Sequence, residues 1–157
     1  MKYFVTTFEG AEEIAEKEIK EKLKVKVVKR KGFLILLAKN NIEKLMSIER
    51  AGIFLKSFNF KELKDYKKQI GEIDFSFIKD EFAVECERFG QHKFSSKDIE
   101  IVVANKIKSK VNLSDPKTLV YVRIKDNNCL IGIDLFKRRL DKRGYRVKPH
   151  PNAINSS

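Results

Sequence analysis

The sequence predicts an α+β protein made of two small units packed together. Three observations predict it. Apolar residues alternate with a period of two in some stretches and recur every three or four residues in others. Within about the first sixty residues these stretches succeed one another as β-α-β-β-α-β. No Gly/Ser-rich linker separates that run from the strand and helix patterns after it, so the two halves are expected to pack on each other.

Taken in order, KYFVTT (2–7) reads as a short strand. In EGAEEIAEKEIKEKL (9–23), Ala11, Ile14, Ala15, Ile19 and Leu23 fall at helical spacing. Acids crowd the start of that stretch and lysines its end, as the helix dipole favours. KVKVVKR (24–30) alternates as a half-buried strand, Lys31-Gly32 makes a tight turn, and FLILLA (33–38) is a fully apolar strand. Asn40 then caps a helix over NIEKLMSIERA (41–51), and IFLKSFNF (53–60) reads as another strand. This is the order of a split βαβ, or ferredoxin-like, unit: a small antiparallel sheet with two helices on one face.

The second half opens with a helix and its connection, KELKDYKKQIGEIDF (61–75), followed by a strand, EFAVECERF (81–89). SSKDIEIVVANKIKSKV (95–111) reads as a helix with an apolar stripe of Ile99, Val102, Val103, Ile107 and Val111. NLSDPKT (112–118) is a turn, and LVYVRIKDNNCLIGIDLF (119–136) is a hairpin with Asp126-Asn127-Asn128 at its tip. The expected division is 1–62 and 63–148, with 149–157 as a tail. That tail and the residues before it, RVKPHPNAINSS, carry two prolines and no acid. They read as the start of a linker, so the chain is expected to be part of a longer protein.

The 157 residues can bury roughly two thirds of the surface of the unfolded chain, so no staples are needed. Cys86 and Cys129 are isolated in β-like apolar runs and read as small buried hydrophobes, not as a disulfide framework. His92 and His150 are isolated as well, and no metal site follows from these spacings. No apolar run approaches the length of a membrane span, and MKYFVTTFEG has no signal-peptide pattern, so a cytoplasmic location without membrane attachment is expected.

Charge points to the partner. There are 34 Lys+Arg against 22 Asp+Glu, a net charge of +12, which favours a polyanion and nucleic acid first. Two clusters carry the signal. ERFGQHKFSSKDIE (87–100) lies at a strand-to-helix junction. There Ser95 and Asp98 fit a capping box. A helix N-terminus of this kind can hold phosphate, with Arg88, Lys93 and Lys97 nearby, or Ser95 and Asp98 can satisfy its N–H groups themselves. Phe94 reads as a staple into the core or as a base-stacking platform. The second cluster, FKRRLDKRGYRVK (136–148), holds Lys137, Arg138, Arg139, Lys142, Arg143, Arg146 and Lys148 against Asp141 alone. Segregated charge beside an aromatic, Tyr145, fits a surface that tracks phosphates and stacks on a base. A basic edge strand guarded against aggregation is the other reading. The chain contains no G-x-G-x-x-G, no P-loop and no Ser-His-Asp set.

At these two clusters the sequence resembles the THUMP domain family. RFGQHKFSSKDIE (88–100) is similar to that family's R-x-G-x-H-x-F-x-S-x-D-I motif. GIDLFKRRLDKRGYRVK (132–148) is similar to THUMP-bearing RNA methyltransferases, where G-x-D-L precedes K-R-G-Y-R and a proline-containing linker leads into a catalytic domain. The resemblance covers nearly the whole chain. It implies a ferredoxin-like unit packed on a THUMP domain. It also implies an RNA-binding module, most closely of an archaeal-type tRNA guanosine-N2 methyltransferase, holding the 3′ acceptor end of tRNA.

On that basis the RNA-binding residues are expected to be Arg88, His92, Lys93, Ser95, Ser96 and Lys97 in the first motif. In the second they are Lys137, Arg138, Arg139, Lys142, Arg143, Tyr145, Arg146 and Lys148. The family's N/D-P-P-Y/F tetrapeptide and glycine-rich cofactor loop are absent, so no activity and no cofactor are expected in this chain. S-adenosylmethionine would belong to the separate catalytic domain. Two alternatives stay open: a module of a large-subunit ribosomal RNA methyltransferase, and a protein-interaction domain that dimerises through its sheet edges.

Overall fold

The computed structural model describes residues 2–37 and 42–136, with Glu43 by its backbone alone. It is a mixed α+β structure, as the sequence predicts. The strands are β1 (Tyr3–Thr6), β2 (Val27–Arg30), β3 (Phe33–Leu36), β4 (Arg50–Asn59), β5 (Phe82–Phe89), β6 (Thr118–Lys125) and β7 (Asn128–Asp134). The helices are α1 (Glu12–Lys22), α2 (Leu63–Gly71) and α3 (Ser96–Ala104). Two compact units divide at Phe54–Leu55, inside β4. Among the described residues the first takes those up to Phe54 and 134–136, and the second takes Leu55–Ile133.

In the first unit the strands run β2-β3-β1-β4, each pair antiparallel. Val5, Leu34, Leu36 and Ala51 point to the face that α1 covers with Ala15 and Ile19, and all six are buried. Each large aliphatic removed from water here contributes about 1.5–3 kcal/mol. Helix α1 is amphipathic in the expected way, but Ile14 is 65% exposed and Ala15 carries the packing in its place.

The expected second helix is absent among the described residues. Residues 42–49 hold a single 3-10 turn at Ile42–Lys44, and Arg50 and Ala51 already belong to β4. The strand order is therefore that of a split βαβ unit without the second helix that would complete a ferredoxin-like one. The cause is a carboxylate far away in sequence. Glu18 of α1 accepts the Met46 N–H at 2.7 Å, the Ser47 N–H at 3.0 Å and the Ser47 hydroxyl. Backbone donors satisfied this way have no need of helical carbonyls.

Burial pushes the Glu18 carboxyl up, but the bonds from Lys22, Ser47 and Met46 outweigh it and hold it down to about 2. A carboxylate lowered in the folded state stabilises fully above its ordinary value near 4.5. That contribution is lost as pH falls from there toward 2. Solvent screening reduces it to about 1–2 kcal/mol. The stability gap between the wild type and Glu18→Gln, read from urea melts, should therefore be widest above pH 5 and close toward pH 2.

In the second unit the order is β4-β7-β6-β5, with β5 and β6 parallel and β6–β7 a hairpin. Tyr66 and Ile70 of α2, with Ile99, Val102 and Val103 of α3, supply the buried helix faces. Cys86 and Cys129 are free and buried, as small core hydrophobes. Helix α3 is shorter than its apolar periodicity suggests. Ile107 is still buried, but it comes in on a tight turn closed by its N–H to the Ala104 carbonyl at 3.1 Å. Val111 bridges Phe82 in parallel fashion and is 49% exposed.

Candidate nucleic-acid interface

Strand β5 delivers Arg88 and Phe89 to one end of the second unit. Gly90 then turns the chain with φ +105°, a conformation that side-chain-bearing residues rarely adopt. The loop 90–95 leads into α3. The hairpin tip comes to the same place: the Asp126 N–H donates to the Phe89 carbonyl at 2.9 Å. Asp126 itself sits at φ 52°, which Asp tolerates.

Arg88 and His92 fasten this loop. The Arg88 guanidinium can only donate, so its Nη1 contact of 2.8 Å to His92 Nδ1 makes that nitrogen the acceptor. The proton therefore sits on Nε2, which donates to the Asp126 carbonyl at 2.7 Å. One imidazole thus joins the strand end to the hairpin tip. The His92 ring lies 4.8 Å from the Phe94 ring, and Phe94 lies 5.8 Å from the buried Phe60. Phe94 is half-buried and continues the aromatic core of Phe60 and Tyr66. That is the staple reading of this residue.

Ser95 and Asp98 close the capping box. The Asp98 N–H donates to Ser95 Oγ at 3.1 Å and the Ser95 N–H donates to Asp98 Oδ2 at 2.9 Å. Two donors at this helix start are therefore satisfied internally. Ser96 is half-buried and its hydroxyl lies against the Cys86 thiol, which burial pushes up to about 12 and the Ser96 bond partly lowers. The thiol is inert at neutral pH. Lys93 and Lys97 are exposed.

The first motif thus splits into two groups. Arg88, His92, Ser95 and Ser96 make bonds inside the protein, and Lys93 and Lys97 present charge to solvent. A cleft of about 640 Å³ opens beside the loop, lined among others by Lys61, Gln91, His92, Lys93, Phe94 and Asn127. A second cleft of about 600 Å³ shares Lys61 and Asn127 and adds Asn59, Lys68 and Gln69. Lys61 and Asn127 were not among the residues expected from sequence. Lys61 follows the end of β4 and Asn127 sits on the hairpin tip, and the Phe60 N–H joins them by donating to the Asn127 carbonyl at 2.9 Å. The second-cluster residues Lys137, Arg138, Arg139, Lys142, Arg143, Tyr145, Arg146 and Lys148 lie outside the described residues.

The geometry can be set beside known proteins. A family model described as THUMP domain matches residues 58–134. A tRNA (guanine(6)-N2)-methyltransferase of Methanocaldococcus jannaschii is 34% identical over 181 residues, covering 100% of this chain and 47% of the relative. The protein of the same name from Archaeoglobus fulgidus is 27% identical, covering 100% of this chain and 45% of its own length. The chain thus spans about half the length of these curated relatives. Among solved structures, TrmN from Thermus thermophilus superposes with a TM-score of 0.68 at 19% identity, covering 95% of this chain and 50% of that one. That likeness concerns the fold. No helix among the described residues is long and apolar enough to cross a membrane.

Proposed function

From the premise that residues 58–134 are a THUMP domain, we propose that this chain is the RNA-binding module of a tRNA methyltransferase. It holds tRNA by its 3′ acceptor end and presents a guanosine to a separate catalytic domain. The observation that carries the reading is the junction of β5 and α3. There a loop locked by Arg88 and His92 sets exposed Lys93 and Lys97 near a cleft that also takes Lys61 and Asn127. Exposed lysines beside a cleft suit phosphates approached by shape and charge, without reading base sequence.

The two methyltransferase relatives support the choice of tRNA and of guanosine as target, and the net charge of +12 supports a polyanion. S-adenosylmethionine would supply the methyl group. The residues present do not fit it, since the chain carries neither a glycine-rich loop nor the N/D-P-P-Y/F tetrapeptide, so its place is in the catalytic domain. This chain contributes binding and orientation.

The test is titration of the chain with tRNA, intact or lacking its single-stranded 3′ end, across a salt series. If about five phosphates are neutralised, log K falls against log salt with a slope of about −3.5 to −4.5. Loss of most affinity on trimming the 3′ end is the expected result. Equal binding of both forms would sink the acceptor-end assignment, and no binding at moderate salt would sink RNA binding by this chain.

A further inference from the structure

The bond that fastens the loop 90–95 joins a cation to a neutral ring. Arg88 is half-buried near the end of β5. Among the described residues its guanidinium makes two bonds, to His92 Nδ1 at 2.8 Å and to the Gly90 carbonyl at 3.5 Å. Its Nε is buried without a partner among them. Neither acceptor carries a charge, and the shorter bond depends on a lone pair at Nδ1. A second proton on the imidazole would take that lone pair. It would set Nδ1–H against Nη1–H, donor against donor and cation against cation. The other contact is indifferent to that proton, since Nε2–H donates to the Asp126 carbonyl at 2.7 Å in either state. Protonation therefore undoes the tie to the strand end and leaves the ring on the hairpin tip.

Other charges stand around the ring. Lys93 of the loop, Lys61 and Glu62 before α2, and Asp98 of α3 line the cleft that His92 borders. The two lysines oppose a further positive charge and the two carboxylates favour one. Asp98, however, is engaged by the Ser95 N–H at 2.9 Å, and Glu62 belongs to the capping box of α2. Asp126 gives the ring its carbonyl and turns its carboxylate toward Gly90. Arg88 is the group that brings charge directly onto a ring nitrogen.

We propose that His92 is a proton-sensitive latch: its neutral ring holds the loop 90–95 in place for RNA, and a proton on Nδ1 releases Arg88 and lowers RNA affinity. The effect on affinity rests on the RNA-binding reading, whereas the latch itself does not. Histidine is the side chain whose charge ordinarily changes between about pH 5 and 8. The fastened loop needs the neutral ring, so its stability is present at the upper end of that range and lost toward the lower. Lys93 and Lys97 keep their charges throughout and lose only their placement.

The test compares affinity for intact tRNA at about pH 8 and about pH 5.5, at one salt concentration, in the wild type and in His92→Gln. A carboxamide can accept from Arg88 through its oxygen and donate to Asp126 through its nitrogen, and it does not titrate. Each protein is read by its own ratio of affinities, so changes at His150 and at carboxylates cancel between the two. Relative to the glutamine variant, the wild type should lose about tenfold on going to the lower pH, as when about one molecule in ten keeps the loop placed. Equal ratios overturn the proposal. So does a wild type that gains on the variant, because the added proton would then be meeting phosphate. A second measurement needs no RNA. Backbone relaxation of residues 90–93 should show them ordered at both pH values in His92→Gln, but ordered only at the higher one in the wild type. If the loop loosens in this way and the wild type binds no tRNA at either pH, the RNA-binding reading falls and takes the affinity claim with it. A wild-type loop that stays ordered at the lower pH overturns the latch whatever the RNA does. Loss of fold in the variant leaves the wild-type relaxation to decide.

Discussion

Asp134→Ala should destabilise the protein by about 3–5 kcal/mol, read as a lowered urea midpoint. Asp134 and Arg50 are 2% and 4% exposed, and Arg50 Nη1 meets Asp134 Oδ2 at 3.0 Å. Removing the carboxylate takes from this buried guanidinium the charge-assisted bond to Asp134 Oδ2, and breaking a buried pair on one side costs far more than the pair contributes over an apolar substitute. The other oxygen, Oδ1, accepts the Phe136 N–H at 2.9 Å, so the variant also frees a backbone donor where the chain leaves β7. A loss of this size is a large share of the roughly 5–15 kcal/mol that holds a typical domain together. Arg50→Met/Asp134→Leu should recover most of the loss, because neither charge is then left behind. A loss under about 1 kcal/mol in the single variant would mean that water reaches the pair, and the buried geometry would be wrong.

Asp134 also shows what sequence could and could not reveal. The G-x-D-L pattern at 132–135 marked the position, but its partner Arg50 lies 84 residues earlier, inside what reads as a helix. The same kind of long-range bond undid that helix: Glu18 takes the N–H groups of Met46 and Ser47, and no local spacing encodes a carboxylate 28 residues away. Most strands were legible because β-branched runs alternate, and the start of α3 because Ser95 and Asp98 sit three apart. Its end was not, since a buried Ile107 suits a helical stripe and a tight turn equally. In the site, Arg88, His92, Lys93 and Lys97 were legible as a motif. Their division of labour was not, because it depends on Asp126, which lies 34 residues beyond His92. Lys61 and Asn127 carry no signal of their own, and the fold brings them to the cleft.

That division of labour predicts how the loop should fail. Gly90→Ala should lower stability by about 1–3 kcal/mol and weaken tRNA binding severalfold while leaving the salt slope unchanged. At φ +105° the new methyl is strained whatever space it finds, and it would stand 2.6 Å from Asp126 Oδ1 and 3.4 Å from the Asp126 nitrogen. The carboxylate can swing aside, so the backbone conformation sets most of the cost. Relaxing that strain moves the Gly90 carbonyl and the His92 ring, the two groups that Arg88 Nη1 holds at 3.5 and 2.8 Å. Lys93 and Lys97 keep their charges but lose their placement. Counterion release follows how many phosphates are neutralised, whereas affinity also needs the lysines held in register before the RNA arrives. A glycine variant that lost affinity and slope together would mean that the loop charges had left the interface altogether. One that bound as tightly as the wild type would mean that the fastening of this loop by Arg88 and His92 serves the fold alone.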